Sequence, residues 1–240
     1  MKTKTYRTLL FDIDNTLLDF NAAEEQALQL LFANHDIPLT EESKKRYSLI
    51  NQGLWTAFEE NKISREQVVN TRFSTLCKEY GIEKDGQLLE AEYRTYLNNG
   101  HQLIDGAVEV IKNLSSHYEL YVVTNGVSAT QYKRLQDSGL YPYFKEIFVS
   151  EDTGFQKPMK EYFDYVFSRI KELSVHETLI VGDSLSADIQ GGQLAGIDTC
   201  WFNPQKKKND TNWNSTYEIG RLQELYNLLN VNNKVASGQV

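Results

Sequence analysis

Leu9-Leu10-Phe11-Asp12-Ile13-Asp14-Asn15-Thr16-Leu17 is the first apolar run of this 240-residue chain, and two carboxylates stand two residues apart at its end. In an extended strand, side chains at i and i+2 project to the same side, which would turn Asp12 and Asp14 toward one small volume at the C-terminal edge. Two like charges held that close repel, and the repulsion raises the proton affinity of one of them unless a cation lies between. Such a pair suits a metal-assisted nucleophile with an acid/base neighbour. Taken alone, it reads equally well as turn-forming aspartates after a strand, because loops are rich in Asp for local hydrogen-bonding reasons.

Three later segments bear on that choice. Leu120-Tyr121-Val122-Val123-Thr124-Asn125-Gly126 is a second apolar run, ending in a hydroxyl, an amide and a glycine. Leu179-Ile180-Val181-Gly182-Asp183-Ser184 is a third, ending in an aspartate with Asp188 soon after, and Gln156-Lys157-Pro158 places a lysine just before a helix start. Apolar runs without alternation read as strands of a parallel sheet covered on both faces. The hydroxyl, the lysine and the acids then converge at the C-terminal sheet edge, where ligands of doubly wound folds bind.

The spacing of apolar residues divides the chain. Between residues 17 and 100 the period is helical: Tyr47, Ile50, Leu54, Trp55 and Phe58 recur at steps of three and four, as do Val69, Arg72, Phe73, Leu76 and Tyr80. Ser64 with Gln67 makes a capping box, and Gly81 and Gly100 stand where helices end. This predicts a helical domain of about four helices inserted after the first strand. From Asp105 onward strands and helices alternate: helices at 107–115, 128–138, 158–171 and 187–195, strands near Leu120, at 146–149, near Leu179 and at 199–202. That repetition implies a doubly wound parallel α/β sheet with right-handed crossovers. The expected organisation is a catalytic core of residues 1–16 and 101–231, a helical cap of residues 17–100 and a flexible tail of residues 232–240.

Bulk properties fit a cytoplasmic enzyme. A net charge of −8 argues against a nucleic-acid polymer as partner, since such binding rests on basic surface. It leaves a single phosphorylated metabolite open as substrate. Cys77 and Cys200 form no zinc or redox pattern. No signal peptide opens the chain, and no apolar stretch reaches the ~20 residues that cross a bilayer, so no membrane partner is expected. The four histidines show no paired ligand spacing, and no feature sets an oligomeric state.

The segments Asp12-Ile13-Asp14-Asn15-Thr16, Thr124-Asn125-Gly126, Lys157-Pro158 and Gly182-Asp183-Ser184-Leu185-Ser186-Ala187-Asp188 resemble, in order, the four motifs of the haloacid dehalogenase superfamily of phosphohydrolases. Phe20, Trp55, Arg72-Phe73, Gln131 and Ser150-Glu151-Asp152-Thr153-Gly154 are similar to the bacterial pyrimidine 5'-nucleotidase branch with its inserted helical cap. The resemblance implies a Rossmann-like core and a phosphate monoester hydrolase acting through a phosphoaspartate on nucleoside 5'-monophosphates. It implies Asp12 as nucleophile and Asp14 as general acid and base. Mg2+ would be held by the Asp12 side chain, the Asp14 backbone carbonyl and Asp183. Thr124, Asn125, Gly126 and Lys157 would bind phosphate, with Asp188 behind them orienting Lys157 or a metal-bound water. Phe20, where core and insert meet, is the candidate lining residue for the base, and packing of the first cap helix is its competing role.

Other readings share these residues. A phosphomutase would use the same motifs and return phosphate to substrate, and a phosphatase of another small metabolite would differ only in the insert. A carbon–halogen hydrolase is disfavoured by Asp14. A catalytically idle binding module on this fold, or a receiver-type domain, is disfavoured by the intact acid, lysine and hydroxyl set and by the long insert.

Overall fold

The computed structural model describes residues 4–231, so the expected tail at 232–240 lies outside the described residues. In chain order the elements are β1 (Thr8–Phe11), α1 (Phe20–Asn34), α2 (Glu41–Glu59), α3 (Arg65–Glu79), α4 (Gly86–Leu97), α5 (Ala107–Leu114), β2 (Glu119–Thr124), α6 (Ser128–Asp137) and β3 (Glu146–Val149). They continue with α7 (Ser150–Thr153), α8 (Lys160–Arg169), β4 (Thr178–Gly182), α9 (Gln190–Leu194), β5 (Asp198–Phe202), β6 (Tyr217–Ile219) and α10 (Leu225–Leu228). The strands form one parallel sheet in the order β3-β2-β1-β4-β5-β6.

The absence of alternation in the apolar runs has a direct structural cause. Leu9, Phe11, Val122 and Val181 pack on one face against Val110, Ile111 and Leu114 of α5 and Leu135 of α6. Leu10, Tyr121, Val123 and Ile180 pack on the other against Tyr162, Phe163 and Val166 of α8. Every β1 side chain is therefore buried, whichever face it points to.

Two compact units result, Met1–Phe20 with His101–Val240, and Asn21–Gly100. The division falls after Phe20 rather than after Thr16, because Leu17 and Leu18 belong to the sheet's core and the returning chain pairs with them. Ile104 N–H donates to Leu17 O at 2.9 Å and Asp19 N–H to Gln102 O at 2.8 Å. The helix expected over 187–195 also differs. Leu185–Ile189 is a wide π-helical turn, capped by Ser184 Oγ on Ala187 N–H at 3.0 Å, and only Gln190–Leu194 is α-helical. The sequence reading had no counterpart to β6, a three-residue edge strand.

The second unit contains α1 from Asn21 onward and the helices α2 to α4. Ser64 and Gln67 form the expected capping box, with bonds of 2.8 and 3.2 Å. The buried stripe of α3 is Val68, Arg72, Phe73, Leu76 and Cys77, so Val69 and Tyr80 of the expected stripe lie to its side. Arg72 is the unusual member. Its guanidinium donates to both Glu90 oxygens at 2.7 Å and to Asn51 Oδ1 at 3.1 Å, and lies 4.6 Å from the Tyr93 ring centroid. Glu90 also accepts from Arg94 at 2.5 Å. Removing one member of a buried pair leaves the other charge uncompensated, at a cost of about 3–5 kcal/mol. Glu90→Ala is therefore expected to lower the unfolding free energy of this unit by about 3–5 kcal/mol in urea titrations. A change below about 1 kcal/mol would mean that the pair contributes no more than a surface ion pair.

Candidate active site

The order of the strands locates the crevice. From β1 the chain proceeds outward to β2 and β3, then crosses back to β4 on the other side of β1. Strand order thus reverses between β1 and β4, and at such a switch point the C-terminal strand ends leave an open crevice. Phe11 pairs with Val181, and Asp12 N–H continues the ladder to Val181 O at 3.0 Å. Asp12 and Asp183 therefore leave adjacent strands side by side. Carboxylate oxygens of Asp12, Asp183 and Asp188 all lie within 4.8 Å of one another.

Lys157 joins this cluster as a buried cation. Its ammonium donates to Asp12 Oδ1 at 2.7 Å, Asp188 Oδ1 at 2.6 Å and Val123 O at 2.8 Å. An ammonium has three protons, and each finds an acceptor, so the position of Nζ is determined. The main chain of Lys157 is held as firmly: its N–H donates to Asn125 Oδ1 and its carbonyl accepts from Asn125 Nδ2, both at 2.9 Å. Asp188 is committed to this framework, because its second oxygen accepts from Ser184 N–H at 3.1 Å. Gly182 makes room for it, as a Cβ there would stand 2.2 Å from the Asp188 carboxyl carbon.

Asp14 is in different company. The strand ends at Phe11, and Ile13 O accepts from Thr16, Leu17 and Leu18 N–H in a turn that carries Asn15 at φ 57°. The i, i+2 rule of strands therefore stops short of Asp14, whose carboxylate bonds toward α6. Oδ2 accepts from Gln131 Nε2 at 2.8 Å, and Oδ1 pairs with Arg134 Nη1. Gln131 Nε2 also donates to Thr124 Oγ1 at 2.8 Å, and Gly126 N–H donates to the same oxygen at 3.2 Å. With that oxygen accepting twice, the Thr124 hydroxyl proton is available to donate. The Gly126 amide is used inside the turn. Phe20 places its ring 5.5 Å from the Arg134 guanidinium carbon.

Sequence reasoning singled out Asp12, Lys157, Asp183 and Asp188, which the structure brings together, and Thr124, which it places beside Asp14. It missed Arg134, the side-chain clasp made by Asn125, and Trp201, whose Nε1–H donates to Asp183 O at 2.9 Å. The i, i+3 spacing of Gln131 and Arg134 on the helix after Thr124 was the available signal.

Two of the three acids bond to the one buried ammonium, and the charge balance shows in the proton affinities of Asp12 and Asp183. Burial pushes Asp12 well above the usual carboxylate range, with Asp188, Asp183 and Asp14 adding to the effect and Lys157 opposing it. Burial, then Asp188, pushes Asp183 up to about 7. Burial works against the charged form of Lys157, yet Asp12 and Asp188 outweigh it and raise the ammonium above its ordinary value. The site is short of positive charge. Its donors are oxygens alone, the set a hard divalent cation prefers.

A doubly wound parallel sheet with an acid and lysine cluster at its switch point makes this a Rossmann-like α/β core. The family model of haloacid dehalogenase-like hydrolases matches residues 9–202, and the chain belongs to that family. It is 65% identical over 233 residues to the HAD-hydrolase YfnB of Bacillus subtilis, covering 97% of this chain and 99% of that one. It is 43% identical to the pyrimidine 5'-nucleotidase PynA of Streptococcus pneumoniae, covering 95% and 96% of the two chains. It is 31% identical to the pyrimidine 5'-nucleotidase YjjG of Escherichia coli, covering 92% and 96%. A crystal structure of the Bacillus subtilis YfnB bound to magnesium superposes with a TM-score of 0.90 at 66% identity, covering 95% and 100% of the two chains. Among the described residues, no helix is long and apolar enough to cross a membrane.

The raised carboxylates make a pH prediction. Asp183 titrates near 7 in the folded chain against an ordinary 3.8, so the stability of the cation-free protein is greatest below pH 3.8 as far as this group is concerned. That contribution is lost as pH rises through about 7, because only the unfolded chain gives up its proton freely over the interval. A divalent cation should restore it. Thermal melts are expected to show magnesium raising Tm strongly at pH 8 and weakly at pH 5, and an equal rise at both pH values would contradict the charge-balance account.

Proposed function

We propose that this hydrolase is a magnesium-dependent phosphate monoester hydrolase that acts through a phosphoaspartate, with pyrimidine nucleoside 5'-monophosphates as substrates. The observation that carries the chemistry is the position of Asp12 at the switch point. One of its oxygens is tied to Lys157, leaving Oδ2 for attack. The substrate assignment rests on the two nucleotidase relatives, similar along nearly the whole chain, insert included.

The oxygen-only donor set fits magnesium, which the Asp12 and Asp183 side chains and the Asp14 backbone carbonyl would hold. Bound there, the ion neutralises phosphoryl oxygens and lets an anionic nucleophile approach. The other tasks fall to the chain itself. Asp12 Oδ2 attacks phosphorus in line with the ester oxygen, the P–O ester bond breaks, and Asp14 supplies a proton to the departing alkoxide. Water then attacks the aspartyl phosphate, Asp14 takes its proton, and inorganic phosphate leaves with Asp12 regenerated. Lys157 keeps Oδ1 from rotating and adds a fixed positive charge beside the phosphoryl group, while the Thr124 hydroxyl donates to one of its oxygens. Asp188 serves this chemistry by holding Lys157.

Two outcomes follow. Asp12→Asn is expected to fold normally and to release phosphate at less than about 1% of the wild-type rate, since an amide is no nucleophile toward phosphorus. Chelation by EDTA should abolish turnover and added Mg2+ should restore it. Activity that survives either treatment would exclude the mechanism.

Across a panel of phosphate monoesters read by inorganic phosphate, UMP, dUMP and TMP are expected to give the highest kcat/KM. A triose or hexose phosphate that exceeds every nucleotide about tenfold, or 1.4 kcal/mol in transition-state binding, would remove the nucleotidase assignment and leave the phosphatase chemistry intact.

A further inference from the structure

We propose that Arg134 and Gln131 are positioning residues that set the orientation of the Asp14 carboxylate for proton transfer. The inference rests on the acid and base role of Asp14 given above. A carboxylate on a short side chain turns easily about its last bond, where the torsional wells are broad. Proton transfer to a leaving oxygen tolerates little misplacement, and about 1 Å can cost 100-fold. Some part of the protein has to hold the carboxylate still.

Three features show that α6 does so. Gln131 and Arg134 stand one helical turn apart on one face of α6 and reach different oxygens of the same carboxylate, which defines its plane as well as its position. They also bond to each other, Arg134 Nη1 donating to Gln131 Oε1 at 3.2 Å. Gln131 in turn donates to Thr124 Oγ1, so the proton-transferring group and the phosphate-facing hydroxyl are fixed by one amide.

The surroundings protect this arrangement. Arg134 is fully buried, and a buried guanidinium is costly unless it is paired. The guanidinium carbon lies over the Phe20 ring, at a distance suited to a cation–π contact. Gly126 lies so close that a Cβ would come within 2.5 Å of the Gln131 side-chain amide carbon. Its lack of a side chain is what allows Gln131 to reach both partners. In this reading Phe20 acts on the chemistry through Arg134 and Asp14, whatever else it touches.

A double-mutant cycle tests the assignment. Arg134→Met and Gln131→Met, each alone and combined with Asp14→Asn, would be assayed under single-turnover conditions for uridine release from UMP and for p-nitrophenolate release from p-nitrophenyl phosphate, whose phenolate leaves without a proton. Circular dichroism and Tm would establish that each variant is folded. If Arg134 fails to fold without its charge, the Gln131 cycle stands by itself, because Arg134 remains paired there. Each single variant is expected to slow single-turnover release of uridine from UMP about 10- to 100-fold, with KM within about twofold and a much smaller loss in release of p-nitrophenolate, since the later water attack uses Asp14 equally for both substrates. In the Asp14→Asn background Arg134→Met should cost less than about twofold, because the group it positions is gone, and Gln131→Met should keep only the smaller part of its loss that acts through Thr124. Arg134→Lys, which keeps a charge at the site, should recover part of the loss.

Equal losses on both substrates, or equal losses in both Asp14 backgrounds, would overturn the positioning role and leave a purely structural one. If Asp14→Asn itself does not depress UMP relative to p-nitrophenyl phosphate, the acid role falls and the positioning role with it. If Asp14→Asn does so and neither α6 variant does, the positioning role alone is lost.

Discussion

The ammonium of Lys157 is the constraint on which the site depends. Its three acceptors belong to three separate parts of the chain: Val123 O in β2, Asp12 just after β1 and Asp188 in the π-helical turn after β4. A buried cation with every proton engaged leaves almost no freedom to any of them, and the loss of one acceptor would carry the full cost of an unsatisfied buried charge. Much of the local sequence serves this requirement. Asn125 clasps the Lys157 main chain from the loop after β2, Gly182 clears space for Asp188, and Ser184 both caps the turn and satisfies the second Asp188 oxygen through its amide. The widened turn at Leu185–Ile189 follows from this commitment, since the chain between Ser184 and Asp188 must bring the carboxylate back over the end of its own strand.

The alternation of strands and helices was legible because burial on both sheet faces leaves an unambiguous mark, runs such as Leu120–Val123 without a polar residue. β3 was read at Glu146–Val149, where it is found. β6 escaped because three residues at a sheet edge, with Glu218 exposed, carry no period to detect. On α3 the stripe was read from Val69, whereas Val68 is the buried residue; two adjacent valines give a periodicity argument nothing to choose between. The buried Arg72 was placed in the correct stripe but its burial was not foreseen, since an arginine on a helix is ordinarily a solvated residue and only Glu90 and Asn51, far along the chain, make its burial tolerable.

At the site the same distinction holds between chemistry that is local and chemistry that is assembled. Asp12, Lys157 and Asp183 could be singled out because each stands at the end of an apolar run or just before a helix, positions where a charge has no packing role, and Asp188 by its place in the segment Gly182–Asp188. Arg134 could not, because its burial depends on Asp14, distant in sequence, and on Phe20. The partners of Asp14 escaped for a related reason. Strand geometry was carried past Phe11, although the bonds converging on Ile13 O turn the chain away immediately after Asp12.

That turn is what gives two carboxylates two residues apart different partners, as the proposed roles of nucleophile and proton carrier require. Had β1 continued, both carboxylates would compete for Lys157 and for any cation bound there. The turn instead leaves Asp12 among acids and a buried ammonium, where Lys157 holds one of its oxygens. Asp14 faces an amide and a guanidinium that take both of its oxygens. Enzymes that need a nucleophile and a proton carrier side by side require their environments to differ. In this chain the difference arises from one turn after a four-residue strand, and α6 supplies the second environment from a separate part of the sequence.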